Sequence, residues 1–138
     1  MTEGIWYDSS GNFIGDNLTT LRPADDAATQ QLGSPWRMPT VDEIEELITK
    51  CTWTWTTQDG VNGYQVDGPN GNAIFLPASG SLLYSSIAYA GRTGRYWSGS
   101  LSMKKSETTR IIDFESDGSV RSTWIARHFG LPVRPVRP

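Results

Sequence analysis

The residues able to carry catalytic chemistry are few in this chain. It contains one histidine, His128, and one cysteine, Cys51, in 138 residues. A nucleophilic triad needs a histidine base, and nothing in the sequence around His128 marks a serine or cysteine partner. A single cysteine forms no intrachain disulfide, and a single histidine forms no multi-histidine metal centre. We therefore expect no enzyme activity, no bound metal and no cofactor.

A group of carboxylates raises metal binding or acid–base catalysis as an option: Asp42, Glu43, Glu45 and Glu46. Thr40 and Glu43, however, have the spacing of a capping box, in which each side chain accepts a hydrogen bond from the other residue's backbone N–H. An apolar stripe at helical spacing follows: Ile44, Leu47, Ile48 and Cys51. The pattern predicts a helix whose acidic face is solvated, with Cys51 as a small core residue.

Length and composition indicate one folded domain over residues 1–138. Hydrophobic residues make up 37% of the chain and charged residues 20%, a balance that excludes intrinsic disorder and is too polar for a membrane span. The first three residues, Met-Thr-Glu, supply no basic start, and no long apolar run follows, so no signal peptide is visible. The chain is either made without one or is an excised domain, and we expect no membrane insertion.

Charge is distributed unevenly along the chain. Residues 1–91 contain three basic and eleven acidic side chains, whereas residues 92–138 contain nine basic and four acidic ones. A basic C-terminal third is able to attract an acidic partner such as a sulfated glycan, a nucleic acid or an anionic protein. Because the basic residues are scattered, the alternative is that the two parts neutralise each other in the fold. We favour that alternative and expect no nucleic acid partner.

The periodicity of the sequence indicates helices first and strands afterwards. Residues 23–33 read as a short helix that begins at Pro23. Residues 52–57 alternate threonine with tryptophan, which predicts a strand with Trp53 and Trp55 on one face. These two rings are either a platform that stacks on sugars or the cover of a core, and we favour the core. Further short strands are expected near residues 64–66, 73–76, 96–100, 110–114 and 124–128, with a long loop at 78–94.

Several ordered motifs resemble the Fibrobacter succinogenes major paralogous domain. They include Trp36-Arg37-Met38-Pro39-Thr40, Cys51-Thr52-Trp53, Asn62-Gly63-Tyr64, Ile74-Phe75-Leu76-Pro77-Ala78, Gly94-Arg95-Tyr96-Trp97-Ser98 and the ending Arg127-His128-Phe129-Gly130 into Val133-Arg134-Pro135-Val136. The resemblance covers about residues 16–136. It implies an α+β protein with a C-type-lectin-like fold, in which two helices accompany twisted antiparallel sheets and long loops. The distantly related sulfatase-modifying enzyme uses a pair of cysteines, and Cys51 is alone here, so that activity is not implied.

The last third, about residues 96–136, also resembles the variable region of C-type-lectin proteins diversified by a retroelement. In such proteins a fixed scaffold presents exposed side chains that are varied to bind new targets. Apolar, aromatic and basic side chains of the kind that dominate interface hot spots lie between the scaffold motifs here. The resemblance implies these ligand-binding candidates: Leu101, Met103, Arg110, Ile111, Trp124, His128 and Phe129.

The sequence therefore predicts a non-enzymatic ligand-binding domain, an adhesin or receptor-binding module at a bacterial cell surface or outside the cell. We expect it to bind a protein or glycan on another cell or phage host through its C-terminal third, as part of a larger surface assembly. One alternative is a structural module of a bacterial surface protein that has no ligand site. A weaker alternative is a degenerate enzyme of the sulfatase-modifying type.

Overall fold

The computed structural model describes Ser10, residues 19–102 and residues 108–138. Within those residues the chain forms an α+β structure of two helices and three antiparallel sheets. The helices are α1 (Ala27–Leu32) and α2 (Val41–Lys50). The strands are β1 (Thr52–Gln58), β2 (Val61–Asp67), β3 (Ala73–Pro77), β4 (Ser81–Leu83), β5 (Ser86–Ala88), β6 (Thr93–Leu101), β7 (Thr108–Glu115) and β8 (Val120–Ala126). The α+β class expected from the sequence is confirmed.

The first helix begins later than its sequence predicts. Pro23 precedes it, and α1 starts at Ala27, with Asp26 as the N-cap residue. Asp26 is buried, and its carboxylate accepts hydrogen bonds from the backbone N–H groups of Thr29 at 3.0 Å and Met38 at 2.9 Å. The two hydrogen bonds of Asp26 cap the helix and fix the backbone near Met38. Together they stabilise a start at Ala27 more than the weak preference of proline for the first helical position favours a start at Pro23.

The second helix follows its sequence pattern closely. Thr40 caps it by accepting from the backbone of Glu43, and the Glu43 carboxylate accepts from the backbone N–H of Thr40 at 2.9 Å. Arg37 adds a bidentate ion pair to the same carboxylate, with Nη2 3.0 Å from Oε2. Ile44 is buried in the core, and Leu47, Ile48 and Cys51 pack against it. The predicted capping box and apolar stripe are confirmed.

The strands β1, β2 and β3 form a meander that covers one side of the core. Trp53 lies opposite Val66, and Trp55 lies opposite Tyr64. Both tryptophans pack against the core, and Trp53 donates its indole N–H to the carbonyl of Leu47 at 3.1 Å. Of the two interpretations of these rings, the contacts support the core over an exposed platform for sugars.

A second sheet, in the order β6-β7-β8, closes the other side of the core. Tyr96 and Ile112 lie opposite each other on its inner face, as do Gly94 and Phe114. The Phe114 ring is fully buried, and its centre lies 5.2 Å from that of Tyr64 and 5.9 Å from that of Trp53. The core is thus one cluster of side chains from α2 and from both sheets.

The long loop expected at residues 78–94 contains a small hairpin instead. Strands β4 and β5 pair through a two-residue turn, with Leu83 opposite Ser86 and Leu82 opposite Ile87. Leu82 also exchanges two backbone hydrogen bonds with Gly130, at 2.7 and 2.8 Å. The hairpin was not visible in the sequence because its strands are only three residues long and do not alternate polar with apolar residues.

Candidate ligand-binding surface

Arg110 and Trp124 form the most defined pair among the predicted site residues. They lie directly opposite each other on β7 and β8, so their side chains share the face of the sheet that packs toward α2. The guanidinium carbon of Arg110 lies over the indole ring of Trp124, 5.1 Å from its centre. Trp124 keeps 46% of its surface exposed. An aromatic ring and a cation are thus presented together at the edge of the sheet.

Two further side chains fix the position of Arg110. Its Nε donates to the hydroxyl of Ser122 at 2.8 Å, and its Nη2 donates to the carboxylate of Glu45 at 3.4 Å. Glu45 comes from the outer face of α2, and Ser122 lies two residues before Trp124 on the same face of β8. Glu45 balances the charge of Arg110, so the group offers donors and acceptors without a net charge. Sequence reasoning missed Glu45 and Ser122, since only the fold brings them to Arg110.

His128 and Phe129 form a second pair. Their rings stack with centres 4.6 Å apart and an angle of 25° between the planes. They follow the end of β8, and Gly130 directly after them pairs with Leu82 of the hairpin. The pairing places the turn after β8 beside the hairpin. The structure therefore groups four of the predicted side chains as two pairs.

The remaining predicted residues do not join either pair. Ile111 has 0% of its surface exposed, so its assignment to an exposed face is corrected: it is a core residue. Strand alternation turns Ile111 to the opposite face from Arg110. Leu101 lies opposite Thr109, also away from Arg110, and is half-buried. Met103 lies outside the described residues.

The hairpin of β4 and β5 exposes apolar side chains that the sequence analysis did not assign to a site. We call Leu82, Tyr84, Ile87 and Tyr89 the hairpin surface. Tyr84 is 93% exposed, Ile87 68% and Tyr89 63%. Tyr84 and Tyr89 adopt positive φ values of 55° and 62°, a region that favours glycine over bulky side chains. Residues that adopt such an unfavourable backbone conformation cluster at functional positions.

A sequence signal for the hairpin surface does exist. Residues 78–91 contain no charged side chain and are composed of serine, glycine, tyrosine, alanine, leucine and isoleucine. Tyrosine, serine and glycine also dominate antibody binding loops, where tyrosine supplies rigid contact area and the small residues supply adaptability. The composition of this segment therefore indicated a binding surface. The segment was interpreted as a loop because it has no helical or strand periodicity.

A buried carboxylate anchors the base of the hairpin to the second sheet. Asp113 is only 2% exposed and binds two arginines, with Arg95 Nε at 3.0 Å and Arg121 Nη2 at 2.7 Å from its two oxygens. The hydrogen bond to Asp113 raises the pKa of Arg121. Arg95 also donates to the hydroxyl of Ser81, the first residue of β4, at 3.3 Å. The Asp113–Arg95 ion pair therefore links the second sheet to the base of the hairpin through Ser81.

Metal ligands do not converge in the part of the chain that the structure describes: no three histidine, cysteine or carboxylate side chains there could hold one ion together. Neither described helix has the length and apolar character that a membrane crossing requires. In comparisons with known proteins, no family model, no curated protein and no solved structure matches this chain. The resemblance drawn from the sequence motifs stays a prediction.

Proposed function

We propose that this chain is a non-enzymatic ligand-binding domain that binds a protein or a glycan through its C-terminal third. The observation that carries the proposal is the Arg110–Trp124 pair, in which a half-exposed indole ring lies under a guanidinium held by Ser122 and Glu45. Tryptophan and arginine are enriched among the residues that dominate binding energy at interfaces. His128 and Phe129 would extend the same binding region.

Pre-organisation is the physical advantage of this arrangement. Arg110 carries many rotamers when free, and ordering such a side chain at an interface costs about 0.5–1.5 kcal/mol. The hydrogen bond to Ser122 and the ion pair with Glu45 hold it in place before any ligand arrives. Because Glu45 balances its charge, the pair suits a ligand that offers hydroxyl or amide groups and an apolar face, as glycans and protein surfaces do.

The non-enzymatic role rests on the sequence, which supplies a single histidine and a single cysteine. His128 stacks on Phe129 and lies on the surface, where a stacked ring serves as a contact more readily than as a buried base. We further propose a C-type-lectin-like fold, supported by the ordered motifs together with the two helices and antiparallel sheets. Display at a bacterial cell surface or outside the cell follows from the same resemblance.

A binding screen tests the function. The wild-type chain, Trp124→Ala and the matched control Trp36→Ala are applied to a glycan array and to a panel of bacterial surface proteins. Trp36 is a fair control because Arg137 lies over its ring at 5.3 Å in a second, separate cation–π pair. We expect Trp124→Ala to weaken binding of any ligand found by about 30-fold, as loss of a hot spot would, and Trp36→Ala to bind normally. Full binding by Trp124→Ala would overturn the proposal.

The alternative of a structural module without a ligand site makes a different prediction. No probe in either panel would then bind. Diversification by a retroelement has its own test, in the genome. A neighbouring reverse transcriptase gene, with a near-copy of the sequence that encodes residues 96–136 differing at adenines, would support it. A single invariant copy across strains would contradict it.

A further inference from the structure

The small sheet that contains the hairpin ends in an open edge. Gly130, β4 and β5 lie side by side, because Leu82 pairs with Gly130 on one side and with Ile87 on the other. Among the residues that the structure describes, none pairs with the outer side of β5. An unpaired strand edge is a ready template for another strand.

The backbone of Ile87 supplies the hydrogen-bonding groups of this edge. In an antiparallel pair, residues alternate between those bonded to the partner strand and those whose N–H and C=O point away. Both backbone groups of Leu82 point away from β5, since they bond to Gly130 at 2.7 and 2.8 Å. Ile87 lies opposite Leu82 in the non-bonded position, so its own N–H and C=O point outward from the other side of the sheet.

The side chains around this edge are apolar and uncharged. Leu82 and Ile87 are neighbours on one face and are 43% and 68% exposed. No charged side chain occurs between residues 78 and 91. Natural edge strands are usually protected by lysine, proline or a bulge, and β5, with the sequence Ser-Ile-Ala, has neither a lysine nor a proline.

We propose that the outer edge of β5 binds an extended, uncharged peptide segment of a partner protein, which adds a strand to the hairpin. Main-chain bonds to Ile87 would supply affinity, and apolar side chains at alternate positions of the peptide would cover Leu82 and Ile87. A second copy of this chain is the less suitable occupant. A stable dimer buries about 800 Å² on each partner, whereas the hairpin surface is a patch of four exposed side chains on a hairpin whose two strands have three residues each.

The probe for this site is a capped pentapeptide of alternating threonine and valine. Its threonines are N-methylated, which blocks one edge of the extended peptide and prevents it from self-associating, whereas the valine N–H groups on the other edge stay free. Binding is followed by amide hydrogen exchange of the ¹⁵N-labelled chain. At saturation we expect exchange of the Ile87 amide to slow about tenfold or more, as for amides that become hydrogen-bonded. The fully N-methylated peptide keeps the side chains but has no backbone donors, and it should bind at least tenfold more weakly.

Two variants locate the site by fluorescence anisotropy of a labelled probe. Ile87→Pro removes the outward N–H at a position where proline is tolerated in an edge strand, and we expect it to lose binding at least tenfold. Ile87→Val keeps the N–H and should bind within about twofold of wild type. Continued slow exchange of the Leu83 amide, which lies at a bonded position opposite Ser86, would verify that the hairpin remains formed in both variants.

Three results would overturn this proposal. They are an unchanged Ile87 amide at the solubility limit of the peptide, wild-type binding by Ile87→Pro, and a stable wild-type dimer in sedimentation that Ile87→Pro converts to monomer. The last would assign the edge to a second copy. The proposal uses none of the residues of the Arg110–Trp124 pair. Failure of peptide binding at β5 would therefore not contradict the proposed function, and failure of the proposed function would not contradict peptide binding at β5.

Discussion

Arg110 lies over the indole ring of Trp124, its directly opposite neighbour across β7 and β8, with its guanidinium carbon 5.1 Å from the ring centre. The ring is stabilised by this contact but remains half exposed. Trp124 should therefore contribute little to the core. Its contribution to stability and its contribution to binding are separable, which makes it the most informative residue to replace.

The first prediction compares Trp124 with a core aromatic residue. Trp124→Ala should lower the free energy of unfolding by about 1 kcal/mol, the range of an exposed cation–π contact. Phe114→Ala should lower it by about 3–5 kcal/mol, because it empties a fully buried site. Urea denaturation followed by circular dichroism measures both. An equal loss in the two variants would place Trp124 in the core and remove it from the binding surface.

The second prediction concerns the pH dependence of the capping box. The hydrogen bond from Arg37 holds the pKa of Glu43 below its ordinary value of 4.5. A lowered pKa means that Glu43 stabilises the fold above pH 4.5 and that this stabilisation is lost as the pH falls through the lowered value. Glu43→Gln should thus cost about 0.5–1 kcal/mol at pH 7, the range of a partly exposed ion pair, and progressively less in acid.

The control for this prediction removes the cause of the shift. In an Arg37→Met background, Glu43→Gln should show a much weaker dependence on pH, because the guanidinium that favours the carboxylate is absent. Both pairs are compared by urea denaturation between pH 7 and pH 3. A cost for Glu43→Gln that is constant over this range would show that the ion pair does not stabilise the charged form.

The third prediction tests the anchor of the hairpin. Asp113→Ala should lower the free energy of unfolding by about 2 kcal/mol, less than the 3–5 kcal/mol of a fully buried pair because Arg121 is largely exposed. Glu46→Gln breaks the exposed pair with Lys50 and should cost no more than about 0.5 kcal/mol. Thermal and urea denaturation measure both. A small loss in Asp113→Ala would mean that packing, and not this carboxylate, holds the hairpin.

Local patterns predicted the parts of the fold that local interactions build. The capping box of Thr40 and Glu43 and the stripe from Ile44 onward are contained within one helix, so their spacing alone specifies them. The alternation of Trp53 and Trp55 likewise specifies which residues share a face of β1. In each case the stabilising contacts lie within a few residues of one another or repeat with a fixed period.

Contacts between segments that are distant in the chain could not be predicted from local sequence patterns. The start of α1 is set by a local N-cap bond, from Asp26 to the backbone of Thr29, but the second bond of Asp26, to the backbone of Met38, joins distant residues and follows no local rule. The hairpin depends on Leu82 pairing with Gly130, far away in the chain. The short strands on either side of its turn have no period of their own, and for that reason the sequence indicated a loop.

In the candidate site, too, residue types were predictable from the sequence and contacts between strands were not. Arg110 and Trp124 were selected for their residue types, and their pairing required the register of β7 and β8. Ile111, next to Arg110, was selected on the same grounds and proved fully buried. Composition identifies residues able to bind, and only the fold decides which of two neighbouring side chains is covered by the rest of the protein. Glu45 belongs to a different element altogether and reaches Arg110 through the packing of α2 on the sheet.

The last prediction concerns the contact between Gly94 and Phe114, which face each other across β6 and β7. A Cβ atom at residue 94 would lie 2.0–2.7 Å from three carbons of the Phe114 ring, closer than any real contact. The ring is fully buried and cannot move aside into solvent. Gly94→Ala should therefore lower the free energy of unfolding by about 2–3 kcal/mol, the range of an overpacked core.

Two variants distinguish this clash from a general effect of alanine in the strand. Gly99→Ala, in the same strand, places its Cβ no closer than 3.8 Å to Met38 and should cost less than about 1 kcal/mol. In a Phe114→Val background the ring is gone, so Gly94→Ala should cost at least about 1 kcal/mol less than in wild type, the size of coupling expected between touching residues. A urea-denaturation double-mutant cycle measures that difference. Equal costs in the two backgrounds would show that the aromatic ring is not what requires glycine at residue 94.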